Sequence, residues 1–331
     1  MADNTFSALV LSESDGKVSG EIKTLSDGDL PEGDVTVRIE YSDINYKDGL
    51  IVSGLGGLVR NYPHVPGVDF AGTVETSNHA RYTPGDKVVL TGWRVGEAHW
   101  GGFAGKARVK GDWLVPLPKR VDTRQAMAVG TAGFTSMLCV LALQDHGVKP
   151  DSGKVIVTGA GGGVGSVAVA ILAKLGYEVA AVTGRADTHD YLKSLGAAEI
   201  VEREALSEPV KKPMESAVWA GAIDTVGGAT LSRLIGQMAY GAPIAACGNA
   251  GGIKIETNVL PFILRGVKLI GVDSVMVPFE DRLRVWERVG HDLPMDKLED
   301  MIGEIGLDGV MEAGGKILKG QIRGRTLVKL G

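Results

Sequence analysis

Two cysteines in 331 residues, 5% aromatic side chains and no run of basic residues leave several protein classes without support. Cys139 and Cys247 sit in the apolar stretches MLCVLA and IAACGN and read as buried free thiols rather than a disulfide. A net charge of -5 with no Lys/Arg cluster gives no electrostatic footprint for nucleic acid. With 44% apolar residues and no low-complexity tract, disorder is excluded as well. No stretch approaches the roughly 18 uncharged apolar residues of a membrane span. The first ten residues, MADNTFSALV, lack the basic start and long apolar run of a signal peptide, so a cytoplasmic protein is expected.

What is present is glycine, 48 residues of it, and a change of texture along the chain. The first 120 residues hold short strand-like runs (FSALVL, DVTVRIEY, GVDFAGTVET, DKVVLTG) between Gly, Pro and Asp clusters, the pattern of an antiparallel, partly barrel-like domain. From Val121, apolar strands alternate with helical segments: KVIVTG, GSVAVAILAKLG, EVAAVTG, THDYLKSLG, AAEIV, AVWAGAIDTV, ATLSRLIGQMA, APIAACG. Continuous Val/Ile/Ala strands between amphipathic helices predict a parallel sheet covered on both faces. Beyond Met276 the chain reads as helical and polar (FEDRLRVWERVG, DKLEDMIGEI) before a closing strand, RGRTLVKL.

Five of the eight residues in TGAGGGVG, 158 to 165, are glycines. The segment joins the strand KVIVTG to a helix with Val167, Ala170, Ile171 and Leu175 on one face, which is the context that makes a glycine pattern a dinucleotide fingerprint. Ala160, Gly162 and Gly165 take the three fingerprint positions. Gly162 admits a pyrophosphate and Gly165 lets helix and strand close up, while Gly161, Gly163 and Val164 supply the N–H groups at the helix start. At the end of the next strand, where an NAD site carries a carboxylate, stand Thr183, Gly184 and Arg185. A hydroxyl, a glycine N–H and a guanidinium suit a dianionic phosphate, so NADPH is favoured over NADH. Arg203 could reach the same phosphate, or be a solvated surface arginine.

GVDFAG, GDKVVL, GTAGFTSM, the glycine turn and DTVGG together resemble the medium-chain dehydrogenase/reductase family over the full chain. The combination INYKD, RNYPHVPGVDFAGTV, TGWRVGEAHWGG, AVTGR and WAGAIDTVGG is similar to its zinc-free branch and, within it, to the NADPH-dependent acryloyl-CoA reductases. The resemblance implies an α/β protein. A GroES-like, partly open β-barrel domain would take residues 1–120 and 275–331, and a Rossmann doubly wound parallel sheet would take 121–274. Zinc members of the family place Cys and His–Glu ligands in two loops of the first domain. Here Asn45 stands where the cysteine would be, Val68 and Asp69 replace the His–Glu pair, and the four-cysteine structural lobe is missing. No metal is expected, because thiolate and imidazole ligands are lacking.

The activity implied is hydride transfer to the β-carbon of acryloyl-CoA, with protonation at the α-carbon. Fixed donors must then hold the developing negative charge on the thioester oxygen. Tyr46 is the best donor in INYKD, or else an aromatic packed against the nicotinamide. Asn45 would orient substrate or cofactor amide, and Asp48 would hold the loop by accepting backbone N–H bonds. The resemblance also places Thr131, Asn249, Ser274 and Arg323 near the nicotinamide, although Thr131 could equally cap a helix. A small acyl-CoA is the expected partner, with a second copy of the chain paired through the edge strand GVKLIGVDS, 266 to 274. A zinc-free quinone reductase and a non-catalytic NADPH-binding sensor remain the alternatives.

Overall fold

A computed structural model describes residues 4–208, 212–300 and 302–331, which form two units. The first takes Met1–Thr131, Ser274–Gly290 and Leu298–Gly331, and the second Ala132–Asp273 and His291–Lys297.

In the first unit, β1 (Thr5–Ser14) and β2 (Lys17–Ser26) form an antiparallel hairpin. Its two-residue turn is Asp15-Gly16, both at positive φ, the geometry that matches the twist of paired strands. A seven-stranded sheet follows, built from β3 (Val35–Asp43), β4 (Asp69–Ser77), β5 (Lys87–Thr91), β6 (Lys106–Val109), β7 (Val115–Pro116) and two C-terminal strands, Ile302–Ile305 and Arg325–Lys329. Alternate residues Val35, Val37 and Ile39 of β3 point into a core shared with Phe70, Val74, Val88 and Leu90. The stretch IGEI was expected to continue a helix. It is instead a strand running parallel to Arg325–Lys329, with the helix ending at Glu299.

Between β3 and β4 the chain makes an excursion containing helix α1 (Tyr46–Val52). This helix packs against Val310–Leu318, where a Cβ on Gly49 would meet the Gly314 carbonyl at 2.8 Å. Only glycine permits that approach. The excursion brings Asn45, just after β3, beside Asp69, at the start of β4, with Tyr46 opening the helix that follows.

The second unit is a six-stranded parallel sheet in the order β10-β9-β8-β11-β12-β13. Its strands are β8 (Val155–Val157), β9 (Val179–Thr183), β10 (Glu199–Glu202), β11 (Gly221–Asp224), β12 (Pro243–Ala246) and β13 (Lys268–Gly271). This is the doubly wound dinucleotide-binding order, whose ligand crevice opens at the carboxyl ends of β8 and β11, where the winding reverses. Ile156, Ala180, Ala222 and Ile244 are fully buried from four adjacent strands, against Leu231, Leu234, Ile235 and Met238.

Helix α2 (Thr123–Asp145) is long and apolar enough to cross a membrane, contrary to the expectation that no stretch comes near that length. It is a core element: 83% of its most apolar window is buried within the protein, and Gly130, at φ +52, interrupts it. Residues 121–131 group with the first unit, whereas the second was expected to begin at 121. Residues 291–297 join the second unit because Lys174 donates to the His291 and Leu293 carbonyls and Lys297 to that of Ser194.

Candidate cofactor and active-site residues

The glycine turn follows β8 directly. Gly159, at φ +60, starts it, Gly162 N–H donates back to the Gly159 carbonyl at 3.0 Å, and helix α3 (Gly163–Lys174) begins with Gly162 as its N-cap. A side chain at Gly165 would strike the Gly159 carbonyl and the Ala160 Cα, so this position seals helix to strand. A Cβ at Gly162 would meet only the Gly159 carbonyl, at 3.3 Å. The turn therefore leaves room at the helix start for a pyrophosphate, beside the unpaired N–H groups of the first helical residues. Ala160 is fully buried, and its N–H donates to the Val182 carbonyl of β9.

Two guanidinium groups reach this turn and the end of β9. Arg185 Nη2 donates to the Gly161 carbonyl at 2.9 Å, and the Arg203 guanidinium lies across Gly184, 2.7 Å from where a Cβ would be. Thr183 ends β9. Its hydroxyl accepts the Arg185 N–H at 3.2 Å and lies 3.0 Å from the Thr188 hydroxyl, which spends its own proton on the Arg185 carbonyl. The Thr183 hydroxyl thus shapes the turn that carries Arg185. Asn249 is exposed in the loop after β12, where a side chain at Gly248 would strike the Thr225 carbonyl after β11. It thus lies at the carboxyl end of the sheet, beside the crevice.

In the first unit, Asp69 is the hub. Fully buried, it accepts the Thr131 N–H and hydroxyl at 2.6 Å each and the Asn45 amide at 2.8 Å. The second amide hydrogen of Asn45 goes to Asp43 at 2.9 Å. Both hydrogens of that amide are taken up by protein carboxylates, so Asn45 braces Asp43 and Asp69. The Thr131 hydroxyl is likewise engaged by Asp69. Asp43 is fully buried and ion-paired with Arg325, whose Nε donates to the Ala128 carbonyl at 2.9 Å. A side chain at Gly130 would strike that ion pair, which explains the glycine before Thr131. Sequence reasoning missed Asp43 and Arg325. One signal was available: Arg325 shares strand parity with the inward-facing Leu327.

Asp48 behaves as expected, accepting the N–H groups of Asn45 at 2.9 Å and Val68 at 3.0 Å. Burial raises the Asp43 carboxyl well above its usual range, with the charge of Asp69 adding to the effect and Arg325 opposing it. Burial likewise pushes Asp48 up to about 7. A folded-state value above the unfolded one means the native protein holds this proton more tightly. The contribution is therefore fully present below the unfolded value of 3.8 and is lost as pH rises through about 7. Between pH 6 and 8, wild type should lose about 1 kcal/mol of stability relative to Asp48→Asn, measured by urea unfolding at both pH values. Parallel pH profiles for the two proteins would contradict this.

Tyr46 opens α1 with 53% of its surface exposed, and its phenol makes no hydrogen bond to any described residue. Ser274 has its carbonyl 3.4 Å from Arg282 Nη2, and Arg323 is exposed before the last strand. In this unit the structure unites Asn45 and Thr131 through Asp69, and places Tyr46 at the adjoining helix start. Among the described residues, no group of three or more His, Cys, Asp or Glu side chains is arranged to hold a metal ion.

Residues 31–119 match the alcohol dehydrogenase GroES-like domain and residues 163–289 the zinc-binding dehydrogenase domain. The chain belongs to the medium-chain dehydrogenase/reductase superfamily. It is 63% identical, over 98% of each chain, to acrylyl-CoA reductase AcuI of Ruegeria pomeroyi. The structure of YhdH from Escherichia coli, with NADPH bound, matches with a TM-score of 0.94 at 54% identity, over 98% of this chain and all of that one. YhfP from Bacillus subtilis, with NAD bound, matches with a TM-score of 0.96 at 44% identity, over 99% of this chain and all of that one.

Proposed function

We propose that this protein reduces the carbon–carbon double bond of acryloyl-CoA with NADPH, giving propanoyl-CoA. The observation that carries the reading is full-length similarity, at 63% identity, to an acrylyl-CoA reductase. The glycine turn with its two arginines is what an adenosine 2′-phosphate requires: Gly162 leaves space for the pyrophosphate, and Arg185 and Arg203 flank the end of β9. NADPH, when bound, supplies the hydride. Tyr46, exposed and with an uncommitted phenol, donates a hydrogen bond to the thioester oxygen as negative charge builds there. Thr131, fixed by Asp69, is proposed as a cofactor contact of the first unit together with Ser274 and Arg323, and Asn249 as one of the second. With NADPH deuterated at the transferring position, the label should appear at the β-carbon of propanoyl-CoA by NMR. Label at the α-carbon would contradict this reading.

No zinc takes part in this reading, because Asn45 and Asp69 are hydrogen-bonded to each other and to Asp43 and Thr131, and Val68 has no side-chain ligand atom. Cytoplasmic location belongs to the same proposal, supported by two cysteines that form no disulfide.

The working form is a homodimer paired through β13. This strand is the edge of the parallel sheet among the described residues, with Leu269 partly exposed. Beside it, Val259, Ile263 and Leu264 are 65%, 68% and 56% exposed. An apolar edge of this kind is closed by self-pairing about a two-fold axis. Light scattering at micromolar concentration should give about twice the 34.7 kDa chain mass, and Ile270→Asp should give a weaker or aggregating species. A mass near 35 kDa for the unmodified protein would contradict the dimer.

A further inference from the structure

Lys47 follows Tyr46, and its ammonium lies 2.7 Å from Glu97 Oε1. Arg94 Nε lies 3.6 Å from the other oxygen of the same carboxylate. The Glu97 side chain is 7% exposed, against 35% for Lys47 and 54% for Arg94. Two cations with partly exposed side chains, one of them next to Tyr46 in the sequence, thus share one enclosed anion in a chain of net charge -5.

Arg94 is held there against the preference of its backbone. Trp93 and Arg94 adopt φ +54 and +57, following Gly92 at +83. Non-glycine residues persist in this left-handed region only where their surroundings enforce it, and such residues cluster at functional sites. The enforcement comes from Arg282, which is fully buried. It donates to the Thr91 carbonyl at 2.7 Å, to that of Val275 at 2.8 Å and to that of Val277 at 2.9 Å, and it covers the Trp93 ring at 5.0 Å. Trp93 N–H donates to the same Val275 carbonyl at 2.9 Å. A turn needed only for its shape would place glycine at position 94. An arginine there, with half its side chain in solvent, delivers a guanidinium to a set location.

The geometry points to Lys47 and Arg94, bridged by Glu97, as the binding site for a phosphate group of the coenzyme A arm of the substrate. This rests on the acyl-CoA reading above. An ammonium and a planar guanidinium facing one phosphate form charge-assisted hydrogen bonds, while the retained Glu97 keeps the cluster at one net charge, so that product can leave.

The test compares acryloyl-CoA with acryloyl-N-acetylcysteamine, a thioester with the same reacting group and no phosphate. Arg94→Gly removes the guanidinium and relieves the left-handed backbone, so the variant should melt no lower than wild type. In Arg94→Gly and in Lys47→Gln, the ratio of KM for acryloyl-CoA to KM for the short thioester should rise about tenfold or more. KM for NADPH should stay within about twofold, a change under 0.5 kcal/mol on the same conversion. An unchanged ratio in both variants, or a rise in KM for NADPH instead, overturns the subsite. Wild type that turns over acryloyl-CoA with variants unchanged overturns the subsite alone. Wild type that does not reduce acryloyl-CoA overturns both the subsite and the acyl-CoA reading.

Discussion

Arg185→Asp is expected to weaken NADPH binding about 30- to 150-fold while leaving NADH binding far less affected. The structure makes the reason specific. Arg185 is anchored by its own Nη2 to the Gly161 carbonyl, and its N–H to the Thr183 hydroxyl, so the guanidinium is preset over the glycine turn. A carboxylate in its place would face the 2′-phosphate and repel it. Arg203 lies across Gly184 but is 62% exposed at its side chain, so its loss should cost less. Dissociation constants for both cofactors, by fluorescence titration or calorimetry, check the prediction. Equal weakening of NADPH and NADH would remove Arg185 as the discriminating residue. The comparison matters because YhfP, a relative of very similar fold, was solved with NAD bound.

Tyr46→Phe is expected to lower kcat about 100-fold with little change in KM for NADPH, since removing one donor to a developing oxyanion has that order of effect. The substitution should not disturb folding: the phenol has no hydrogen bond to a described residue, and Asn45, Asp48 and Asp69 hold the loop without it. Single-turnover measurement of NADPH oxidation isolates the chemical step. A kcat within about twofold of wild type would mean that another group, or water, holds the thioester oxygen.

The parallel sheet and the glycine turn were legible because their signals are local. VIVTG and VAAVT are too apolar for anything but buried strands, and glycine at 162 and 165 answers to contacts within the same turn. Domain edges were less so, because no change of composition marks Gly130, where the backbone leaves helical geometry. IGEI was misread because four residues carry too little periodicity to separate a strand from the end of a helix. The carboxylate network was hidden for another reason. Asp43 and Arg325 are 282 positions apart, and Thr131 is 62 positions from Asp69, so only the folded sheet brings them together. The bonds of Asn45 to Asp43 and Asp69, and of Thr183 to the Arg185 loop, likewise emerge only in the folded chain.

The most direct test of the central claim is NADPH oxidation by the purified protein with acryloyl-CoA, crotonyl-CoA and a quinone offered separately. Acryloyl-CoA should be reduced with the highest kcat/KM, with propanoyl-CoA formed one for one with NADPH consumed, and prolonged chelation should leave the rate unchanged. Faster turnover of the quinone, or cofactor binding without turnover of any of the three, would contradict it.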